Sequence, residues 1–338
     1  MRASVGRPTF ARDPIVLRHN TAQMRSRGWS ARIGIAAAIA ALAGSALSGQ
    51  GASHTFRTQD GQPDLRGVWR FSTITPIERP AEFADKPFLT PQEASAYQAR
   101  RLAALNLDTA PERAGLNGPS VNEFWSERSD LVSVAGRFPT SLVVDPADGR
   151  IPPITAARRA RASLLADIRR QGASAAAFTQ SERCLRDVRP PMFPSADKGL
   201  IEIIQTRAYV VIRQENLHET RVVPLDGRPH VGSAIRSWVG DPRGSWNGDV
   251  LIVDSANFTD LGDRFDENLH LTERLSRIDA DTLLYEFTVD DPTVYTRPWT
   301  VVMPMKRSRD RLFEDACHEG NYSLPNILRA VRMQDASR

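Results

Sequence analysis

The sequence predicts a mainly β protein, an antiparallel up-and-down barrel of roughly eight to ten strands carrying helical insertions. Three observations predict it. The last third is a meander of strand-length runs with period-two alternation, each ended by Gly, Asp or Pro. Three close-spaced β-branched runs precede it, at 201–206, 208–215 and 219–225. His, Glu and Arg recur inside the late runs instead of staying in the turns, as they would if some lined an interior.

Residues 1–53 form a leader with a secretory signal peptide. Arg25, Arg27 and Arg32 precede an apolar stretch from Ile33 to Leu47, and small residues continue to Ser53. Met1 or Met24 is the true start, and cleavage is expected between Ala46 and His54. The apolar run is short for a membrane span, so the mature chain is expected in the periplasm or outside the cell, with no membrane span. Residues 54–338 are expected to form a single barrel domain with a helical and irregular insertion at about 76–198.

Within that domain Gly67-Val68-Trp69 opens the first strand. Thr90-Pro91-Gln92-Glu93 is a capping box that starts a helix running to about Leu105. Residues 106–140 are Gly- and Pro-bearing and irregular, and 141–145 is a short strand before a turn from Pro146 to Gly149. A second helix covers 155–171 and presents a solvated arginine face. After the three close-spaced strands, Asp226-Gly227 makes a turn. Residues 229–247, with Trp238 and Trp246, form a loop able to fold over a barrel mouth. The late strands are 248–254, 269–274, 282–289, 299–303 and 312–319, and a short helix near 325–333 ends the chain.

Composition narrows the function classes. With 41% hydrophobic and 25% charged residues a sizeable core is available. Of 44 basic residues only Lys86, Lys198 and Lys306 are lysines, and the basic residues are interleaved with 40 acids. No basic stripe forms, so no nucleic-acid partner is expected. Oligomeric state stays open. Cys184 and Cys317 are the only cysteines, and export favours a disulfide between them, worth about 4 kcal/mol for so long a loop. Two buried thiols are the alternative. A catalytic Cys317 beside His318 is disfavoured, because neighbouring strand residues point to opposite faces.

Candidate chemistry centres on histidine. His270 shares one strand face with Thr272, Arg274 and Ser276, while Leu269, Leu271 and Leu275 share the other. Either face can look inward. Glu286 lies on a polar face and could stand opposite Arg274 or His270, orienting an imidazole or making a surface ion pair. His318, Glu319, Asn321 and Tyr322 follow Cys317 around Gly320 and could converge at a rim, or merely cap the strand. His218 and Arg221 open a strand, and Trp238 and Trp246 sit in the loop; with Glu319 and Tyr322 they are the expected binding residues. His218, His230, His270 and His318 have no metal-ligand spacing, so no metal is assigned. The chain lacks a Gly-x-Ser-x-Gly elbow, a P-loop and a dinucleotide fingerprint, and no cofactor is expected.

Gly67-Val68-Trp69 resembles the first strand of lipocalin and calycin barrels, in which the Trp plugs the floor. The chain also resembles an uncharacterised family of exported bacterial proteins. That likeness rests on Asp64-Leu65-Arg66-Gly67-Val68-Trp69, Pro224-Leu225-Asp226-Gly227-Arg228-Pro229-His230, Trp246-Asn247-Gly248-Asp249, Thr288-Val289-Asp290-Asp291-Pro292 and Cys317-His318-Glu319-Gly320-Asn321-Tyr322. It implies a lipocalin-like fold and export, and brings no activity.

The function expected is an exported small-molecule enzyme. It would act on a largely apolar substrate by cofactor-independent acid–base chemistry, as an isomerase, hydratase, dehydratase or lyase. His270 would be the first proton carrier and His318 the second; Glu286 would orient an imidazole, and Arg274 or Arg221 would stabilise negative charge. The alternatives are a non-catalytic carrier of hydrophobic ligands, a metal-dependent enzyme using the histidines, and a structural or partner-binding envelope protein with a filled barrel. The carrier predicts an apolar interior with His270 and Arg274 outside.

Overall fold

Alternation in the second half of the chain builds eight strands of one ten-stranded sheet. The computed structural model describes residues 56–105, 129–134, 136–172, 174–179, 182–185, 190–194, 199–215, 219–259, 265–313 and 316–336. The expected leader and signal peptide, residues 1–53, lie outside these residues, as does His218. All described residues fall within one unit, 46–338.

Strand β1 (Gly67–Arg70) is followed by an insertion holding a two-stranded sheet, β2 (Phe88–Leu89) with β3 (Phe138–Pro139), and by β4 (Val143–Asp145). Then come β5 (Leu200–Gln205), β6 (Tyr209–Gln214) and β7 (Thr220–Pro224). The meander is β8 (Asp241–Asn247), β9 (Val250–Ala256), β10 (His270–Arg277), β11 (Thr282–Asp290) and β12 (Trp299–Ser308). Hydrogen bonds link them in the order β7-β6-β5-β1-β12-β11-β10-β9-β8, with β4 added to β12. Every pairing is antiparallel. An even number of reversals therefore separates β7 from β8, and these end strands run the same way. Parallel neighbours need a long crossover, which residues 225–240 supply.

The sheet is not flat. Arg221 on β7 bonds Glu273 on β10 at 2.5 and 2.9 Å, although six interstrand steps separate their strands. In a flat sheet those steps would span about 29 Å. The two ends also approach each other: a Cβ on Gly244 of β8 would lie 2.5 Å from Leu225 Cδ2 and 2.8 Å from Val223 Cγ1. No ladder joins β7 to β8 among the described residues, so the hydrogen-bonded ring of a closed barrel is not found.

The inner face is apolar. Leu251, Val253, Leu271, Leu275, Tyr285, Phe287, Val301 and Met303 are fully or almost fully buried and alternate with outward residues that are more exposed. Trp69 is fully buried, donates its indole N–H to Leu65 O at 2.9 Å and has the Arg277 and Arg307 guanidinium groups 5.6 Å from its ring. Burying a large aromatic contributes about 3 kcal/mol. The insertion also reaches inward: Met192 is fully buried, and the Phe193 ring packs on Phe265, Phe287 and Trp299.

Outside the sheet, helix α1 (Pro91–Leu105) begins on the predicted capping box, with Thr90 N–H donating to Glu93 Oε2 and Glu93 N–H to Thr90 Oγ1. Its Ala94 and Tyr97 join Ile74, Leu89 and Leu131 in a small second core. Helix α2 (Ala156–Arg170) is capped by Thr155 and stops before Gly172, which has positive φ and lies against Val331 of helix α3 (Ser323–Ala336). Cys184 and Cys317 form the expected disulfide.

Two predicted elements are corrected. Among the described residues of the expected strand 312–319 none is in a strand: 312, 313 and 316 are irregular, and 317–319 belong to a turn. Both edges of β12 are already taken, by β11 and by β1 together with β4, so no edge remains there for another strand. Conversely, the expected loop 229–247 ends in β8. Pro242, Arg243 and Gly244 have weak strand preference, yet glycine is what lets β7 come close.

Candidate functional site

Polar side chains gather in two places, one on each face of the sheet. On β10, Leu271, Glu273 and Leu275 point inward, while His270, Thr272 and Arg274 point outward. The leucines thus chose the inner face and took Glu273 with them.

Inside, Arg221 and Glu273 are fully buried and joined by two hydrogen bonds. The Tyr285 hydroxyl donates to Glu273 Oε1 at 2.6 Å and accepts from the Met192 N–H at 3.1 Å. Burial opposes the Arg221 charge, but Glu273 outweighs it and holds the guanidinium above its ordinary value. Burial, reinforced by Glu273, pushes the Tyr285 phenol well above its usual range, so it stays a donor. Gln214 lies diagonally from Arg221 on the same inner face, because Ile212 pairs with Arg221. Ser255 lies diagonally from Glu273, because Val253 pairs with Glu273. Both are buried, and among the described residues the Gln214 amide, Ser255 Oγ, Arg221 Nε and Trp299 Nε1 have no hydrogen-bond partner. Buried polar atoms of this kind call for a ligand, water or neighbouring group.

On the outer face the crossover lays His230 between two carboxylates. Its Nδ1 is 3.1 Å from Asp241 Oδ2, and its Nε2 is 3.4 Å from Asp254 Oδ2. His270 Nε2 lies 2.5 Å from Asp254 Oδ1, a close ion pair when the imidazole is charged. Asp254 raises the His270 pKa from its ordinary value, against partial burial, and His270 lowers that of Asp254. Arg243 holds Asp241 at 2.6 Å. Arg274 stands opposite Glu286, as the alternation allowed, at 3.5 Å. Burial pushes the Glu286 carboxyl up, partly offset by Arg274.

The predicted catalytic residues therefore do not converge inside. His270, Arg274 and Glu286 share the outer face, while His318 is exposed in the turn after the disulfide. Glu319 and Tyr322 are exposed with it, and Asn321 Nδ2 donates to Cys184 Sγ. Trp238 is half exposed on the crossover, and Trp246 packs against the core from β8. Of the expected binding residues that are described, only Arg221 and Trp246 reach the interior; His218 lies outside the described residues. Glu273, Tyr285, Gln214 and Ser255 were missed; for Glu273 its place between Leu271 and Leu275 was the available signal. Among the described residues no group of three or more His, Cys, Asp or Glu is placed to hold a metal ion, and no helix is long and apolar enough to cross a membrane. No protein-family model and no curated protein matches the chain.

Proposed function

We propose that this protein is an exported, lipocalin-like carrier that holds a small, largely apolar molecule inside the rolled sheet. The observation that carries this reading is the pair of buried inner-face groups, the Gln214 amide and Ser255 hydroxyl, unpartnered among the described residues within apolar walls. Arg221 and Glu273 already balance each other there. A second, uncompensated charge would be costly to bury, so the polar end of the ligand is neutral, such as a ketone, amide or alcohol. Barrel closure is supported by the Arg221–Glu273 reach and the approach of Gly244 to Val223 and Leu225. Export is supported by the amino-terminal pattern and by the disulfide, which suits an oxidising compartment.

The acid–base enzyme reading retains one supporting observation, the His270–Asp254 contact, and would place the reaction on the outer face. Titration of the purified chain with fluorescent long-chain ketones, alcohols and carboxylates tests the carrier. Saturable binding of the neutral probes is expected, weakened about tenfold in Gln214→Leu by loss of a buried hydrogen bond. Absence of saturable binding, or affinity indifferent to Gln214→Leu, would refute it. Turnover of an identified substrate that His270→Ala abolishes would favour the enzyme.

A further inference from the structure

The segment 190–194 enters the interior without joining the sheet. Pro190, Pro191 and Met192 are buried, and the Phe193 ring lies 5.4 Å from Phe287, 6.3 Å from Trp299 and 6.4 Å from Phe265. Met192 N–H donates to the Tyr285 hydroxyl at 3.1 Å, and that hydroxyl donates in turn to Glu273. An N–H donor next to an aromatic ring thus stands beside the Arg221–Glu273 pair, within apolar walls. Three of the five residues are prolines, which have no N–H to give to a ladder, and no strand includes the segment. No ladder holds it, so a molecule of similar shape and polarity can compete for its place.

We propose that Met192 and Phe193 are the chain's own stand-in for the ligand, a plug that leaves the interior when a neutral aromatic molecule bearing an N–H or O–H donor takes its place. The proposal rests on the carrier reading for the ligand, while release of the plug can be tested without one.

The donor requirement comes from Tyr285. Its hydrogen goes to Glu273, so towards the plug the hydroxyl can only accept. Once the Met192 N–H withdraws, that buried oxygen needs another donor. An amide, alcohol or phenol supplies one, whereas a ketone does not. The ring requirement comes from Phe265, Phe287 and Trp299, which surround one aromatic guest. Cys184, bonded to Cys317, and Leu200 at the start of β5 hold the chain on either side, so release displaces the plug and leaves the sheet intact.

Hydrogen exchange of the full native chain reads the plug directly, because Met192 and Phe193 carry the only backbone amide hydrogens of 190–194. Without any probe these should exchange about a hundredfold faster than the amides of β11, by local release in place of global unfolding. Protection equal to that of β11 would make the segment a fixed part of the core and overturns the plug. Binding ordinarily slows exchange. N-phenylnaphthylamine, an aromatic fluorophore with one N–H, is expected instead to speed it at Met192 and Phe193. Saturable binding that leaves these two amides unchanged or slower overturns the replacement. In fluorescence titrations phenylnaphthalene, which lacks the N–H, should bind about tenfold more weakly. Phe193→Ala should bind the amine about tenfold more tightly, because the competing ring is gone. Equal affinity for the two probes overturns the donor requirement, and equal affinity of the two chains overturns the competition. Fast exchange of the plug with no binding of either probe, to the native chain or to Phe193→Ala, refutes the carrier reading and the ligand with it. A fully protected plug beside intact binding refutes the plug alone.

Discussion

Arg221, Glu273 and Tyr285 show how much a single inward position can commit. Glu273 occupies the inner face because its neighbours Leu271 and Leu275 must, and a carboxylate there needs a cation and a donor. Removing one partner strands the other. Glu273→Gln or Arg221→Met is expected to destabilise the fold by about 3–5 kcal/mol in urea unfolding, whereas the double replacement Arg221→Met with Glu273→Leu should recover most of the loss. On the outer face the sign of the pH dependence follows from the shifts. His270, raised, contributes stability that is full below about 6.5 and lost as pH rises through its folded value. Asp254, lowered, contributes above 3.8 and loses it as pH falls. Both side chains are about half exposed, so solvent screening keeps the effect under about 1 kcal/mol. Asp254→Asn should flatten that part of the stability–pH curve between mild acid and mild alkali.

The strand ends and the crossover decide the shape of the molecule. β7 and β8 run parallel because every step between them is antiparallel, so closure cannot use a hairpin and the chain must cross the outside of the sheet. Gly244 makes the approach possible. Gly244→Ala pushes a methyl group into Val223 and Leu225 and is expected to cost about 1–3 kcal/mol. The same substitution at Gly227 meets nothing within 4 Å, though its positive φ carries the ordinary backbone penalty. A smaller loss at Gly227 than at Gly244 would therefore confirm that contact between β7 and β8 is the costly term. The helices were legible for a local reason: the Thr90–Glu93 box and the Thr155 cap are formed by residues three apart. β8 was not legible, because Pro242, Arg243 and Gly244 look like loop until β9 and β7 stand beside them.

Across the whole molecule the disulfide ties the end of the insertion to the turn before α3, over a sequence separation of 133. Cys184→Ser with Cys317→Ser is expected to lower stability by about 4 kcal/mol, read as a fall in the urea midpoint, because a loop this long releases much entropy when unfolded. A double variant as stable as the native chain would show that the reduced chain already holds these segments together.

Local sequence was enough for whatever depends on neighbours in the chain. Alternation marked most strands, cap spacing marked two helices, and two cysteines allowed one intramolecular bond. The tertiary structure decided which face of each strand looks inward, because a period of two is symmetric between faces and only the neighbouring strands break the tie. It turned His270, Arg274 and Glu286 outward and Glu273 inward. It also joined Arg221 to Glu273 across the interior, a contact that exists only once the sheet has rolled. The convergence expected of His270 and its neighbours thus gave way to a buried pair formed from residues that no spacing rule connects.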